Sequence, residues 1–167
     1  MSIRNLRISD IEALHRLFAE VSAEGEFLLR GEAPPIEQMR GLLLRALPLG
    51  LPQFVVDLGG ELVGSIEIFP ASFCRVDDGS AEDFGLLGMQ VSKAHRGKGL
   101  GGQLMEAALE RCRQLGMRRV DLAVLKSNGP AIRLYERFAF RWVADLPPCT
   151  RPDGQPDQPQ TMRLLLG

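Results

Sequence analysis

Cysteine is scarce and odd in number. The 167 residues contain three, Cys74, Cys112 and Cys149, which leaves one over from any set of disulfides, and their spacing fits no zinc motif. No apolar run approaches the ~18 residues of a membrane span, and the opening Met1-Ser2-Ile3-Arg4-Asn5 lacks the apolar stretch of a secretory signal. Neither sign of charge is in surplus, with 20 Lys and Arg against 21 Asp and Glu for a formal net charge of -1. General nucleic-acid binding needs a basic excess to displace counterions, so any basic patch is local. These absences point to a cytoplasmic protein with no metal, no membrane segment and no nucleic-acid partner. What remains is an ordinary globular composition, 45% hydrophobic and 25% charged, long enough for one well-buried domain over residues 1–167 and short for two.

Ile3 to Ile8 alternate apolar and polar as a strand does. Ser9-Asp10-Ile11-Glu12 has the form of a capping box, followed by Ile11, Leu14, Phe18 and Val21 at helical spacing, which predicts a helix ending near Gly25. Pro34-Pro35 opens a second helix over Ile36 to Ala46, weakened at Gly41 by roughly 1 kcal/mol. Gln53 to Leu58, the Gly59-Gly60 turn and Glu61 to Phe69 read as a hairpin. Pro70 to Ser80 is a loop, and Asp83 to Val91 is the next strand. Leu100, Leu104, Ala108, Cys112 and Leu115 make one helical stripe that Gly116 stops. A strand over Arg119 to Val124, a short helix over Ala131 to Phe138 and a strand over Phe140 to Ala144 follow. Pro147 to Gln160 reads as a loop before a last strand, Thr161 to Leu166. The order β-α-α-β-β-β-α-β-α-β-β implies an α/β fold, a mixed sheet with helices packed on it.

Between the strand and the helix lies Ala94-His95-Arg96-Gly97-Lys98-Gly99-Leu100-Gly101-Gly102, an arrangement that collects phosphate groups on free N–H donors and the helix dipole. Three phosphate chemistries compete for it. A nucleoside-triphosphate loop fails because Gly97-Lys98 is followed by Gly99, not by the hydroxyl that magnesium needs. A nicotinamide-dinucleotide loop fits Gly97, Gly99 and Gly102 literally, with Asp121 about 20 residues on. Against it, Asp121 comes early in its strand and the preceding meander does not supply a doubly wound sheet. The third register, Arg96-x-x-Gly99-x-Gly101, resembles the pyrophosphate loop of the GNAT superfamily, the acetyl-CoA-dependent N-acetyltransferases. Asn128-Gly129-Pro130-Ala131-Ile132-Arg133-Leu134-Tyr135-Glu136-Arg137-Phe138-Ala139-Phe140 resembles the family's N-x-x-A-x-x-L/F-Y-x-x-x-G-F stretch, departing at Ala139 where the family usually has Gly. Together the two motifs cover roughly residues 83 to 144.

The resemblance implies a mixed, mostly antiparallel sheet of about seven strands flanked by about four helices. It implies acetyl-CoA as donor, with the pyrophosphate on the N–H groups from Gly97 through Lys98, Gly99, Leu100 and Gly101 to Gly102, and Arg96 and Lys98 adding charge. The pantetheine arm would lie along Met89, Gln90 and Val91, within reach of Asn128 and Ala131. Tyr135 matches the tyrosine that protonates the departing thiolate; a thiol pKa near ~8.5 makes this an aid to turnover, not a requirement. Asn128 reads equally as a helix cap. His15 and His95 read as structural.

The attacking amine, with pKa near ~10.4, must lose a proton, and Asp83 and Glu67 are the two candidate carboxylate bases. Residues 20 to 50 and the loops at 70 to 80 and 145 to 160 are where such a pocket forms, offering Glu24, Glu26, Phe27, Glu32 and Phe73. The expected acceptor is a small-molecule amine or an amino-acid-like one, attacked directly in a ternary complex; many relatives of this size pair as dimers, so the resemblance leaves a homodimer open. Two alternatives stay open, a non-catalytic acyl-CoA-binding sensor and an NAD(P)-binding enzyme.

Overall fold

A computed structural model of the chain describes residues 1–26 and 32–167; Phe27 lies outside them. Strand β1 (Ser2–Asn5) enters helix α1 (Ile11–Ala23) through a single 3-10 turn over Ile8–Asp10. Ser9 does not cap α1, whose N-cap residue Asp10 makes no side-chain cap hydrogen bond; the Asp10 carboxylate reaches back instead, accepting the Arg7 backbone N–H at 2.7 Å and a two-pronged contact from Arg4. The strand therefore stops at Asn5. Helix α2 (Ile36–Ala46) starts behind Pro35 as its composition predicts. β2 (Gln53–Leu58) and β3 (Glu61–Pro70) form the hairpin around Gly59 and Gly60, both at positive φ.

β4 (Gly85–Val91) begins two residues later than the sequence pattern suggests, because Asp83 turns away to bond Ser72. α3 (Leu100–Gln114), β5 (Arg119–Leu125), α4 (Gly129–Arg137) and β6 (Arg141–Asp145) follow. The proline-rich segment is not a plain loop. It folds into a small hairpin, β7 (Cys149–Thr150) with β8 (Pro156–Asp157), and β9 (Pro159–Leu165) starts at its last proline. Proline is tolerated there because each strand has a free edge or a terminus at that point.

The main sheet runs β1-β2-β3-β4-β5-β9-β6. Every neighbouring pair is antiparallel except β4 and β5. Helix α3 is the crossover that makes that pair parallel. One face carries Val56, Ile66, Ile68, Val120 and Leu122 against α3, α4 and Phe140. The other carries Val55, Leu62 and Phe69 against α1 and α2. Seven strands with helices on both faces is the mixed, mostly antiparallel α/β architecture that the motifs imply.

The parallel pair decides where a ligand can enter. β4 and β5 are matched only at Gly85 with Val120 and Leu86 with Asp121. From Leu87 to Val91, β4 has no ladder partner on its β5 side, so its peptide groups face a widening gap. A row of unpaired peptide groups must find partners elsewhere.

Candidate active site

That gap is the floor of a cavity of about 460 Å3, closed by the β4–α3 loop on one side and by α4 on the other. Its anion-binding end is made of backbone. Gly97 and Gly99 take positive φ, 73° and 81°, which a side chain would resist. No side chain caps α3, whose first closed hydrogen bond runs from Gln103 N–H to the Gly99 carbonyl at 3.2 Å. The N–H groups of Leu100, Gly101 and Gly102 therefore point out of the helix unused, as a pyrophosphate requires. A Cβ on Gly102 would meet open space, whereas one on Gly101 would strike Leu134 of α4 at 2.9 Å. Gly101 is thus glycine for helix packing, and Gly97 and Gly99 for conformation.

Met89, Gln90, Val91, Arg96, Gly97, Gly99, Leu100, Gly101, Gly102, Asn128, Ala131 and Tyr135 all line this cavity. Lys98 does not; its ammonium donates to the Ala94 carbonyl at 3.1 Å on the surface. Arg96 lines the cavity, but its guanidinium forks onto Glu24 at the end of α1 at 2.7 and 2.8 Å while Nε donates to the Val91 carbonyl. The two cations expected at the phosphates are thus directed elsewhere, and Arg96 instead ties α1 to the loop. Asn128 caps α4 by accepting from Ala131 N–H at 3.3 Å. Gln90 donates to Ser65 Oγ at 3.2 Å across the β3–β4 ladder.

Tyr135 sits on the buried face of α4, its ring 5.9 Å from that of Phe140. Burial, and then the charge of Glu67, push its phenol up to about 12, so it holds its proton throughout the neutral range. Glu67 lines a second cavity of about 880 Å3 between the sheet and helices α1 and α2. Burial raises its carboxyl from 4.5 to about 8. Glu67 pairs with Gly88 in the β3–β4 ladder, and a Cβ on Gly88 would collide with Glu67 Oε1. Gly88 lines the first cavity and Glu67 the second, so the absence of that Cβ lets the carboxylate lie over β4 where the two spaces approach.

Asp83, the other candidate base, is not in this arrangement. It lines neither cavity. Its carboxylate accepts from Ser72 N–H at 3.2 Å, from the Ser72 hydroxyl and from Phe84 N–H. Burial pushes that carboxyl up, but these hydrogen bonds outweigh it and leave Asp83 below the usual carboxylate range. It serves to close the turn ahead of β4. The Asp121 carboxylate, which a dinucleotide site would turn toward a ribose, is buried between the forks of Arg119 and Arg163 instead. His95 pairs with Ser92 Oγ at 2.7 Å and His15 with the Pro34 carbonyl at 2.9 Å, both structural contacts.

Sequence comparison decides between the remaining donor chemistries, because the sequence model of the Acetyltransferase (GNAT) family matches residues 14–140. The chain belongs to the GNAT acetyltransferase family. Acetyl-CoA is the acyl donor of GNAT enzymes. Over 150 residues, 89% of this chain and 86% of the other, it is 31% identical to the uncharacterized N-acetyltransferase YjgM of Escherichia coli (strain K12). The L-amino acid N-acetyltransferase AaaT of the same organism is 28% identical over 140 residues, 83% of this chain and 81% of that one. Among solved structures, yncA of Salmonella typhimurium with its cofactor acetyl-CoA superposes with a TM-score of 0.85 at 21% identity, covering 99% of this chain and 94% of that one. At that identity the likeness is one of GNAT fold. No helix among the described residues is long and apolar enough to cross a membrane.

Three features of this GNAT chain escaped the sequence reading. The Arg96–Glu24 fork joins positions 72 apart, and Gly88 is glycine because of a residue 21 positions earlier; neither leaves a local trace. Gln53 did leave one. It shares the inward face of β2 with Val55, a polar residue at an inward period-2 position of an apolar strand.

Proposed function

We propose that this chain transfers the acetyl group of acetyl-CoA to the primary amine of a small-molecule acceptor, by direct attack with both substrates bound. One observation carries the reading: Glu67, on the second cavity, pairs in the ladder with the side-chain-free Gly88, which lines the first cavity together with Tyr135. When bound, acetyl-CoA supplies an acetyl group already activated as a thioester. The N–H groups from Gly97 to Gly102 suit its pyrophosphate, and the unpaired peptide groups of Met89 to Val91 suit the amides of its arm. A backbone N–H of that stretch also suits the oxyanion that develops on the carbonyl.

The acceptor takes the second cavity. Glu67 Oε accepts the ammonium proton, which its raised pKa equips it to do near neutral pH. Tyr135 Oη holds a proton at hand for the thiolate leaving group, whose own pKa near ~8.5 makes this help partial. Glu32 and Phe73 line the acceptor cavity as the sequence suggests, while Glu24 is committed to Arg96 and the proline-rich segment lines neither space. The amino-acid acceptors named for AaaT favour a small molecule here as well.

Release of free thiol from acetyl-CoA, screened over amino acids, polyamines and peptides, tests this reading. Tyr135→Phe keeps the packing on Phe140 and should lower kcat about 10- to 100-fold with the melting temperature unchanged. Tight CoA binding with no acceptor raising thiol release would instead make the chain an acyl-CoA sensor.

A further inference from the structure

The second cavity contains an unused hydrogen-bonding pair. Gln53, the first residue of β2, is 2% exposed, and among the described residues neither its Oε1 nor its Nε2 has a hydrogen-bond partner. A buried primary amide with nothing to bond is costly, and such groups are rare in native proteins unless something else uses them. Gln53 sits directly opposite Glu67 in the β2–β3 ladder. Their side chains therefore leave the sheet on one face with Cβ atoms about 4.5–5.5 Å apart, and both line the 880 Å3 cavity.

We propose that Gln53 reads the acceptor: its amide bonds the amine and the neighbouring carbonyl oxygen of an N–Cα–C=O unit, making the acceptor a free α-amino acid with an apolar side chain. This rests on the acetyl-transfer reading, because Glu67 fixes where the amine must lie. A primary amide carries one acceptor atom beside one donor atom. An α-amino acid offers the complementary set on adjacent positions, N–H to Oε1 and a carboxylate oxygen to Nε2. A plain alkylamine satisfies the first and leaves Nε2 bare.

The rest of the lining agrees. Phe18, Leu42 and Phe73 give the cavity an apolar wall. Around the base, the charged lining is balanced, Glu32 and Glu37 against Arg45 and Arg75, and Glu37 is further paired with Arg40 on its own helix. Arg45 lies over the Phe73 ring at 4.5 Å, placing a cation at the wall. A balanced lining suits a zwitterion; a polyamine, cationic at each nitrogen at neutral pH, would enter without enough counter-charge.

Calorimetric titration of the full chain in the presence of CoA tests the assignment. L-leucine is compared with 3-methylbutylamine and L-phenylalanine with phenethylamine, pairs that differ only in the carboxylate, with spermidine as the polyamine. The amino acids should bind about 10- to 100-fold more tightly than their carboxylate-free partners. Gln53→Leu should erase that advantage, because the amino acids lose both hydrogen bonds and the alkylamines lose only the one to Oε1. The same variant should melt at a higher temperature than the wild type, since an apolar group replaces a bare amide; a packing role for Gln53 predicts a lower one. Because binding is read without turnover, selective amino-acid binding with no thiol release would sink acetyl transfer and support the role of Gln53. Equal binding within each pair, tighter binding of spermidine, or undiminished selectivity in Gln53→Leu overturns the assignment, and the wild-type pairs decide the substrate class without any variant.

Discussion

Glu67→Gln tests catalysis and burial in one protein. Burial holds the Glu67 carboxyl near about 8 in place of 4.5, so the folded chain binds that proton more tightly than the unfolded one. The stability linked to it is complete below pH 4.5 and is lost as the pH climbs toward 8. At ~1.4 kcal/mol per pH unit across that interval, the ionised carboxylate costs about 3–5 kcal/mol above pH 8. Gln cannot ionise. The variant should therefore match the wild type in urea unfolding at pH 4 and exceed it by about 3–5 kcal/mol at pH 9.

Activity should move the other way. With a base at about 8, roughly one molecule in eleven is ionised at pH 7 and half at pH 8, so kcat/KM for thiol release should rise about fivefold over that unit. Glu67→Gln should lose about 100-fold or more and flatten this limb of the profile. A variant that keeps the wild-type rate and slope, or unfolding curves that differ equally at pH 4 and pH 9, would refute the reasoning. The first result would remove Glu67 from the chemistry; the second would mean that its carboxyl is solvated.

Two further substitutions probe the frame. Ala139 occupies φ +70° at the turn out of α4, a conformation that costs an L-residue about 1 kcal/mol, so Ala139→Gly should stabilise by about 0.5–1 kcal/mol and raise the melting temperature by a few degrees without altering kcat. Asp121 is 4% exposed between Arg119 and Arg163, and Asp121→Asn removes the carboxylate that Arg163 forks onto and leaves Arg119 with Asp78 alone among the described residues, at about 2–4 kcal/mol in chemical denaturation. Burial pushes the Asp121 carboxyl up, but the two arginines outweigh it and hold the carboxyl below the usual range. Its contribution is therefore present at neutral pH and fades as the pH falls through the lowered pKa, so the gap between variant and wild type should narrow in acid.

How far the sequence carries depends on whether a residue's task is local. Gly97 and Gly99 take the φ of a loop that their own neighbours form, Asn128 caps the helix it starts, and Tyr135 lies on the buried face of that helix; such tasks leave a mark within a few positions. At Ala139, where the departure from the motif's glycine suggested a differently shaped turn, the alanine takes the left-handed conformation itself and carries its strain. Choosing between Asp83 and Glu67 needs register, because each is an acid near a strand end until Gly88 is placed opposite one of them. Arg96 looked like a phosphate ligand because its sequence neighbours are glycines, but its partner Glu24 is on another element. The capping box expected at Ser9 does not form, because the Asp10 carboxylate turns back to Arg4 and the Arg7 N–H and leaves α1 without a side-chain cap.

The two halves of the proposed site are built from different materials, and this sets the sign of their mutational effects. The donor half is mostly backbone, N–H groups at the start of α3 and the open edge of β4, where a side chain adds strain: at Gly99, φ +81°, any L-residue should lower stability and CoA affinity together. In the acceptor half, side chains are held against their solvation preference, Glu67 with its raised carboxyl and Gln53 with both amide atoms bare. Replacing either by a group that buries more easily should raise stability while lowering turnover or selectivity. Residues that only support the fold, such as Asp121, lose stability when changed. Opposite signs on the two measurements therefore mark a position kept for the acceptor, and a scan of the second cavity that records melting temperature beside kcat/KM sorts its lining without an alignment.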